Sequence, residues 1–108
     1  MSLPERKGIL SADHQIVPCP DLLEWARWFE DDHNRKIRQE SISGFFVSTI
    51  FLGLDMGYAN PLWFETMVFR EGARPQGSVH TMRYASWDEA IAGHAEICAQ
   101  VRSGAIGE

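Results

Sequence analysis

The chain has 108 residues, 44% hydrophobic and 23% charged, which fits one domain with a core of its own and argues against a disordered chain. Ten basic against fifteen acidic residues leave a net charge of −5, which argues against non-specific nucleic-acid binding, since that needs a phosphate-neutralising face. Cys19 and Cys98, the two cysteines, have no CxxC spacing, so they fit free thiols in a reducing cytoplasm better than a disulfide or a cysteine-built metal site.

From the start of the chain, "MSLPERKG" has no apolar segment and does not fit a secretory signal. Residues 1–7 are expected to be a polar tail, as are 103–108. Ile9 and Leu10, then Ile16 and Val17, flank the turn-rich "SADHQ", which predicts a small hairpin or two short extended pieces. Pro18 and Pro20 prevent a helix from starting earlier, and Asp21 is a suitable N-cap. "DLLEWARWFEDD" then predicts a helix over 21–32. Its apolar positions Leu22, Leu23, Trp25, Ala26, Trp28 and Phe29 form a face wide enough for two contacts, the sheet beneath and something beside it. The basic run "NRKIRQE" adjoins the acidic "EDD" at 30–32, so no clean basic patch results.

The period then changes. Strands are predicted over 35–42 and 45–54, joined by a turn at Ser43-Gly44. "FFVSTIFLGL" (45–54) is apolar on both parities, as a central strand is, and is about half the length of a membrane-spanning helix. A loop at 55–61, a strand at 62–70, a loop at 71–79 and a strand at 81–85 follow. "SWDE" is a capping box with Ser86 as N-cap and Glu89 three residues on. It opens a helix expected to reach about Arg102 and stop at Gly104, with Trp87, Ile91, His94, Cys98 and Val101 as its apolar stripe. The expected fold is α+β: one domain over 1–108, an antiparallel β-meander of about four strands with two helices packed on one face.

A register for the meander assigns its faces. Setting Leu54 opposite Leu62 pairs Leu52 with Phe64, Ile50 with Thr66 and Ser48 with Val68. Setting Glu65 opposite Arg83 pairs Phe64 with Tyr84 and Thr66 with Met82. One face then collects Ile50, Leu52, Leu54, Leu62, Phe64, Val68, Met82 and Tyr84 as a helix-covered core. The other collects Phe51, Trp63, Glu65, Met67, Phe69 and Arg83, with no element left to cover it. An uncovered aromatic face is an interaction surface by default, and a self-complementary homodimer is its expected use. Asp55 and Glu65 fall on that face ~13 Å apart at ~3.4 Å per residue. That is too far for a shared acid/base task of the glycosidase kind. Asp55 is better explained as a turn residue, with Gly57, Asn60 and Pro61 supplying the turn chemistry. Tyr58 at the loop tip is the other loop candidate for binding.

The blocks "DLLEWARWFE", "VSTIFLGLD", "PLWFETMVF" and "RYASWDEAIAGH" occur in that order. Together they resemble a family of small uncharacterised bacteriophage- and prophage-encoded proteins, over roughly Gly8 to Val101. In that group the "LD" is followed by His and the "MVF" by Gly, where this chain has Met56 and Arg70. The resemblance implies a phage or prophage accessory protein in a bacterial cytoplasm. It implies no activity, cofactor or metal.

No Walker loop, dinucleotide fingerprint, HExxH or GxSxG elbow is present. His14 and His33 fall in or near turns and are expected to be solvated. His94 and Cys98, four apart in the last helix, both face the sheet. They could bind metal or form a thiolate nucleophile, but two ligands are too few for a structural zinc. A hydrogen-bonded core histidine beside an inert thiol is the expected arrangement, with Tyr84 or a backbone carbonyl accepting its proton. The expected function is a non-enzymatic module that dimerises and holds a phage or host protein, with no catalytic residue, metal or cofactor. The alternative is a small metal-dependent hydrolase built on Asp55, Glu65, His80 or His94, which requires three of those side chains to converge.

Overall fold

In a computed structural model, residues 7–55, 60–72 and 77–106 are described. A two-stranded hairpin comes first, β1 (Gly8–Leu10) and β2 (Ile16–Pro18), paired antiparallel. Helix α1 (Leu22–Glu30) follows, its first turn capped by the Asp21 carboxylate, which accepts from the Glu24 amide at 3.0 Å. It ends two residues earlier than the sequence predicts. Asp31 turns extended and its carboxylate caps a separate four-residue helix, α2 (Asp32–Arg35).

Strands β3 (Lys36–Ile42), β4 (Phe45–Phe51), β5 (Phe64–Arg70) and β6 (His80–Tyr84) form one antiparallel sheet in the order β3-β4-β5-β6. Ser43 and Gly44 make the first hairpin turn with φ of 51° and 84°. Both values are positive, as a two-residue turn needs to match strand twist. Helix α3 (Trp87–Ser103) crosses the sheet and contacts all four strands. Ser86 Oγ accepts from the Glu89 amide at 3.2 Å, and the Glu89 carboxylate accepts from the Ala85 amide. The α+β meander with helices on one face is the fold that forms, with a second small sheet at its end.

The β4–β5 register differs by one residue from the expected one. Phe51 pairs with Phe64, Thr49 with Thr66 and Val47 with Val68. The β5–β6 register is as expected, Phe64 with Tyr84 and Glu65 with Arg83. Because side chains alternate with period two, the slip exchanges the two faces of β4. Val47, Thr49 and Phe51 point toward α3 and are fully buried; Ile50, expected in the core, points away. Leu54 is 38% exposed and Met82 51%, so neither is core. The strand is apolar on both parities, so its own pattern does not select the register. The polar Thr49 is accommodated inside because α3 brings a polar partner to it.

The covered face has three zones along the strands. Val47 and Val68 pack with Ile97, Cys98, Val101 and Ile106 at one end. Phe51, Phe64, Tyr84 and Ala90 pack at the other, joined by Trp28, Ile37, Trp63 and Trp87. Between them lies a buried polar layer of Thr49, Thr66 and His94. Gly93 lets α3 approach β6: a Cβ there would lie 2.2 Å from Tyr84 Cε1. Ile106, expected in a tail, is buried in the first zone, while Ser103 and Ala105 before it are exposed.

Helix α1 sits by the end of β4 and against β1. Its Trp25 indole donates to the Gly53 carbonyl at 3.0 Å, and Trp28 meets Phe51 edge-on at 5.5 Å. Leu22 and Leu23 are 63% and 69% exposed, so the wide apolar face meets the sheet end and the hairpin but leaves its start open. No helix among the described residues is long and apolar enough to cross a membrane.

Candidate functional site

Two arrangements on opposite faces of the sheet hold the side chains that chemistry or binding would use. On the face turned away from α3, Glu65, Met67 and Phe69 of β5 lie beside Phe46 and Ile50 of β4 and Arg83 of β6. The apolar members are half-buried. Glu65 is buried, and Arg83 Nε donates to its Oε2 at 2.9 Å. This is the cross-strand pair expected from the sequence, and it neutralises an acid set among apolar neighbours.

Phe51 and Trp63, expected on that surface, are not part of it. Phe51 is fully buried beneath α3, and Trp63 stacks on it with ring centroids 6.0 Å apart. The register slip moves Phe51 inward and leaves Phe46 and Ile50 as the aromatic and aliphatic contributions of β4. Asp55 Oδ1 accepts from the Leu62 amide at 3.0 Å, a loop-closing bond of the expected kind. Tyr58 lies outside the described residues.

The second arrangement is beneath α3. His94 is 2% exposed, and its Nδ1 lies 2.7 Å from Thr49 Oγ1, which is in turn 2.5 Å from Thr66 Oγ1. The ring's hydrogen-bond partner is thus a threonine of β4 and not Tyr84, whose hydroxyl is buried without a hydrogen-bond partner. His94 Nε2 is likewise buried and unpartnered, 3.7 Å from Glu40 Oε1. Cys98 Sγ donates to Glu40 Oε2 at 3.3 Å. Glu40 of β3 therefore joins the His94/Cys98 pair of α3. Arg38 and Arg102 line the same hollow of about 180 Å³.

Glu40 was not singled out in the sequence. The signal was there: the Ser43-Gly44 turn sets Glu40 opposite Val47, which puts both on the α3 side. It could be read only once β4 was given the right face.

The electrostatics follow from burial. Burial lowers the His94 pKa below the ordinary imidazole value; Glu40 opposes this and Arg38 adds to it. Burial pushes the Cys98 thiol up to about 11, and the Glu40 hydrogen bond and charge add to the rise while Arg102 opposes it. The thiol is thus protonated at neutral pH and is no ready nucleophile. Burial also raises the Tyr84 phenol.

The quartet of the hydrolase alternative does not converge. Glu65 faces away from α3 and Asp55 closes a loop. His80 lines a separate hollow of about 250 Å³ with Met82, Tyr84 and Gly93. Among the described residues, the one group of three His, Cys, Asp or Glu ligand atoms mutually within 4.8 Å is Glu40, His94 and Cys98. His14 is exposed, as expected, and stacks on Trp87 at 3.7 Å beside an open hollow of about 380 Å³ between the β1–β2 hairpin and α1–α2. Neither a protein-family model, a curated protein nor a solved structure matches the chain.

Proposed function

We propose that this protein is a non-enzymatic self-associating module that pairs with a second copy of itself through the face of the sheet turned away from α3. The observation that carries this reading is the half-buried apolar strip of Phe46, Ile50, Met67 and Phe69 around the Glu65–Arg83 ion pair. Apolar area gathered on one sheet face lowers its free energy by leaving water. A second copy is the occupant that the charges favour. The strip carries one acid and one base side by side, so a two-fold axis can set Arg83 of one copy against Glu65 of the other. The contact is locally neutral, so the net charge of −5 does not oppose it at short range.

The setting in this proposal is that of a phage or prophage accessory protein in a bacterial cytoplasm, supported by the order of the four sequence blocks. A phage or host protein is the further partner such a module would present itself to. The test is sedimentation velocity across micromolar concentrations. The wild type should populate a dimer, and Phe69→Lys should shift it to monomer with an unchanged circular dichroism spectrum. A wild type that stays monomeric at about 100 µM would sink the reading.

A further inference from the structure

The Glu40/His94/Cys98 group is more than a polar layer with a thiol beside it. The geometry points to a binding site for a single borderline-soft divalent cation, zinc by preference, held by Glu40 Oε, His94 Nε2 and Cys98 Sγ, with one coordination position left open.

The donor set is the first ground. Carboxylate oxygen, imidazole nitrogen and thiolate sulfur are the three ligand types zinc takes from proteins, and the mixture disfavours magnesium and calcium, which prefer oxygen alone. Spacing is the second. Tetrahedral bonds of ~2.0 to ~2.3 Å imply ligand–ligand edges of ~3.3 to ~3.8 Å. The Sγ–Oε2 distance is 3.3 Å and the Nε2–Oε1 distance 3.7 Å, each to a different oxygen of the one carboxylate, and one ligand atom from each of the three residues lies within 4.8 Å of the others, so a small rotation of the Glu40 carboxylate closes the set on one ion.

The third ground is His94 itself. Its Nε2 is buried and makes no hydrogen bond, an unfavourable state for a polar atom if nothing occupies it. Its Nδ1 is engaged by Thr49, which is backed by Thr66. With Nδ1 donating to Thr49, the tautomer has a free lone pair on Nε2, which is how metal-bound histidines are held, their far ring nitrogen donating to a fixed acceptor. The two threonines thus act as positioning residues, and their burial in an otherwise apolar core has a use beyond satisfying one ring.

Three protein ligands leave a fourth position on the side of the adjoining hollow, lined by Arg38 and Arg102. Water or a small anion would complete the shell there. The helix spacing of His94 and Cys98 supplies two ligands from one rigid element, and Glu40, on the edge strand β3, is the one that can close on the ion.

The test is direct. The untagged full chain, stripped of metal, is titrated with zinc against a chromophoric chelator and separately with cobalt(II). One equivalent should bind, and the cobalt form should show a thiolate charge-transfer band with the visible spectrum of a tetrahedral site. Cys98→Ser should abolish that band. Glu40→Gln, at a residue 40% exposed in its side chain and so tolerant of replacement, should weaken zinc binding about 10- to 100-fold. Cys19→Ser should change neither. Absence of a one-to-one complex in the wild type overturns the inference. So does binding that Glu40→Gln and Cys98→Ser leave intact, because the ion then sits elsewhere. Folding of each variant is checked by circular dichroism, and Glu40→Gln decides the matter if a buried substitution unfolds the chain.

Discussion

The two faces of one sheet solve the problem of a carboxylate near apolar side chains in different ways. On the outer face, Glu65 meets Arg83 directly across a strand pair at 2.9 Å and no titratable group is left unmatched. Under α3, Glu40 meets a thiol and an unpartnered imidazole nitrogen, and the nearby arginines line the hollow without taking its charge up in an ion pair with it. A closed pair suits a surface that is to be covered by another protein. A half-satisfied cluster suits a site that takes up something small. The same contrast holds for the apolar residues: Phe51 is locked between three other aromatic rings, whereas Phe69 is half-buried opposite Phe46.

The largest test of that contrast is a pair of truncations. Phe51→Ala should lower folding stability by about 3–5 kcal/mol, and Phe69→Ala by about 1 kcal/mol or less, with its main effect on sedimentation. Equal losses in urea unfolding would mean that the outer face is as much a part of the core as the inner one. Next is Gly93→Ala. Helix propensity alone would favour it by about 1 kcal/mol, but the clash with Tyr84 should make it destabilising by about 1–3 kcal/mol. A more stable variant would show that α3 does not depend on that close approach.

Thr49→Val keeps the shape of the buried layer and removes the partner of His94 Nδ1. A loss of about 1–2 kcal/mol is expected, and a neutral result would show that the layer is idle in the folded protein. The pH response separates the two glutamate sites further. His94 has a lowered pKa in the fold, so the unfolded chain binds a proton there that the folded chain does not. The stability this contributes is present above about pH 6.5 and is lost as pH falls below it. Cys98 is raised to about 11, so its contribution is present below the ordinary thiol range and is lost as pH climbs from about 8.5 toward 11. Urea midpoints of the metal-free protein across that range should fall at both ends, and Cys98→Ser should flatten the alkaline side. The smallest effect belongs to Arg83→Ala, about 1 kcal/mol or less for a pair with one partner well exposed, with a larger change in self-association than in folding.

The sequence carried the local decisions. Asp21 and Ser86 were readable as N-caps because a short side-chain oxygen three residues before a free amide is a local device, and both act as expected. Gly104 ends α3, and Ser43-Gly44 turns the first hairpin, for equally local reasons. The β5–β6 register was legible too, because Glu65 and Arg83 are opposite charges with nothing else to pair with on those strands. The β4–β5 register was not. "FFVSTIF" offers an apolar residue at every position except Ser48 and Thr49, one on each parity, and setting Leu54 opposite Leu62 put Ile50 inside and Phe51 outside.

By itself, then, the chain determined its elements, their caps and turns, and the acid–base pair of the outer face, all set within a few residues or one strand pairing. Only the tertiary structure decided which side of β4 is the inside, because that depends on what α3 brings to it. His94 offers a ring nitrogen to Thr49, so the parity that carries Val47, Thr49 and Phe51 is the buried one. That choice also turns Glu40 inward to meet Cys98, residues 58 apart in the chain. A contact of that range is invisible to periodicity, since it belongs to no single helix, strand or turn.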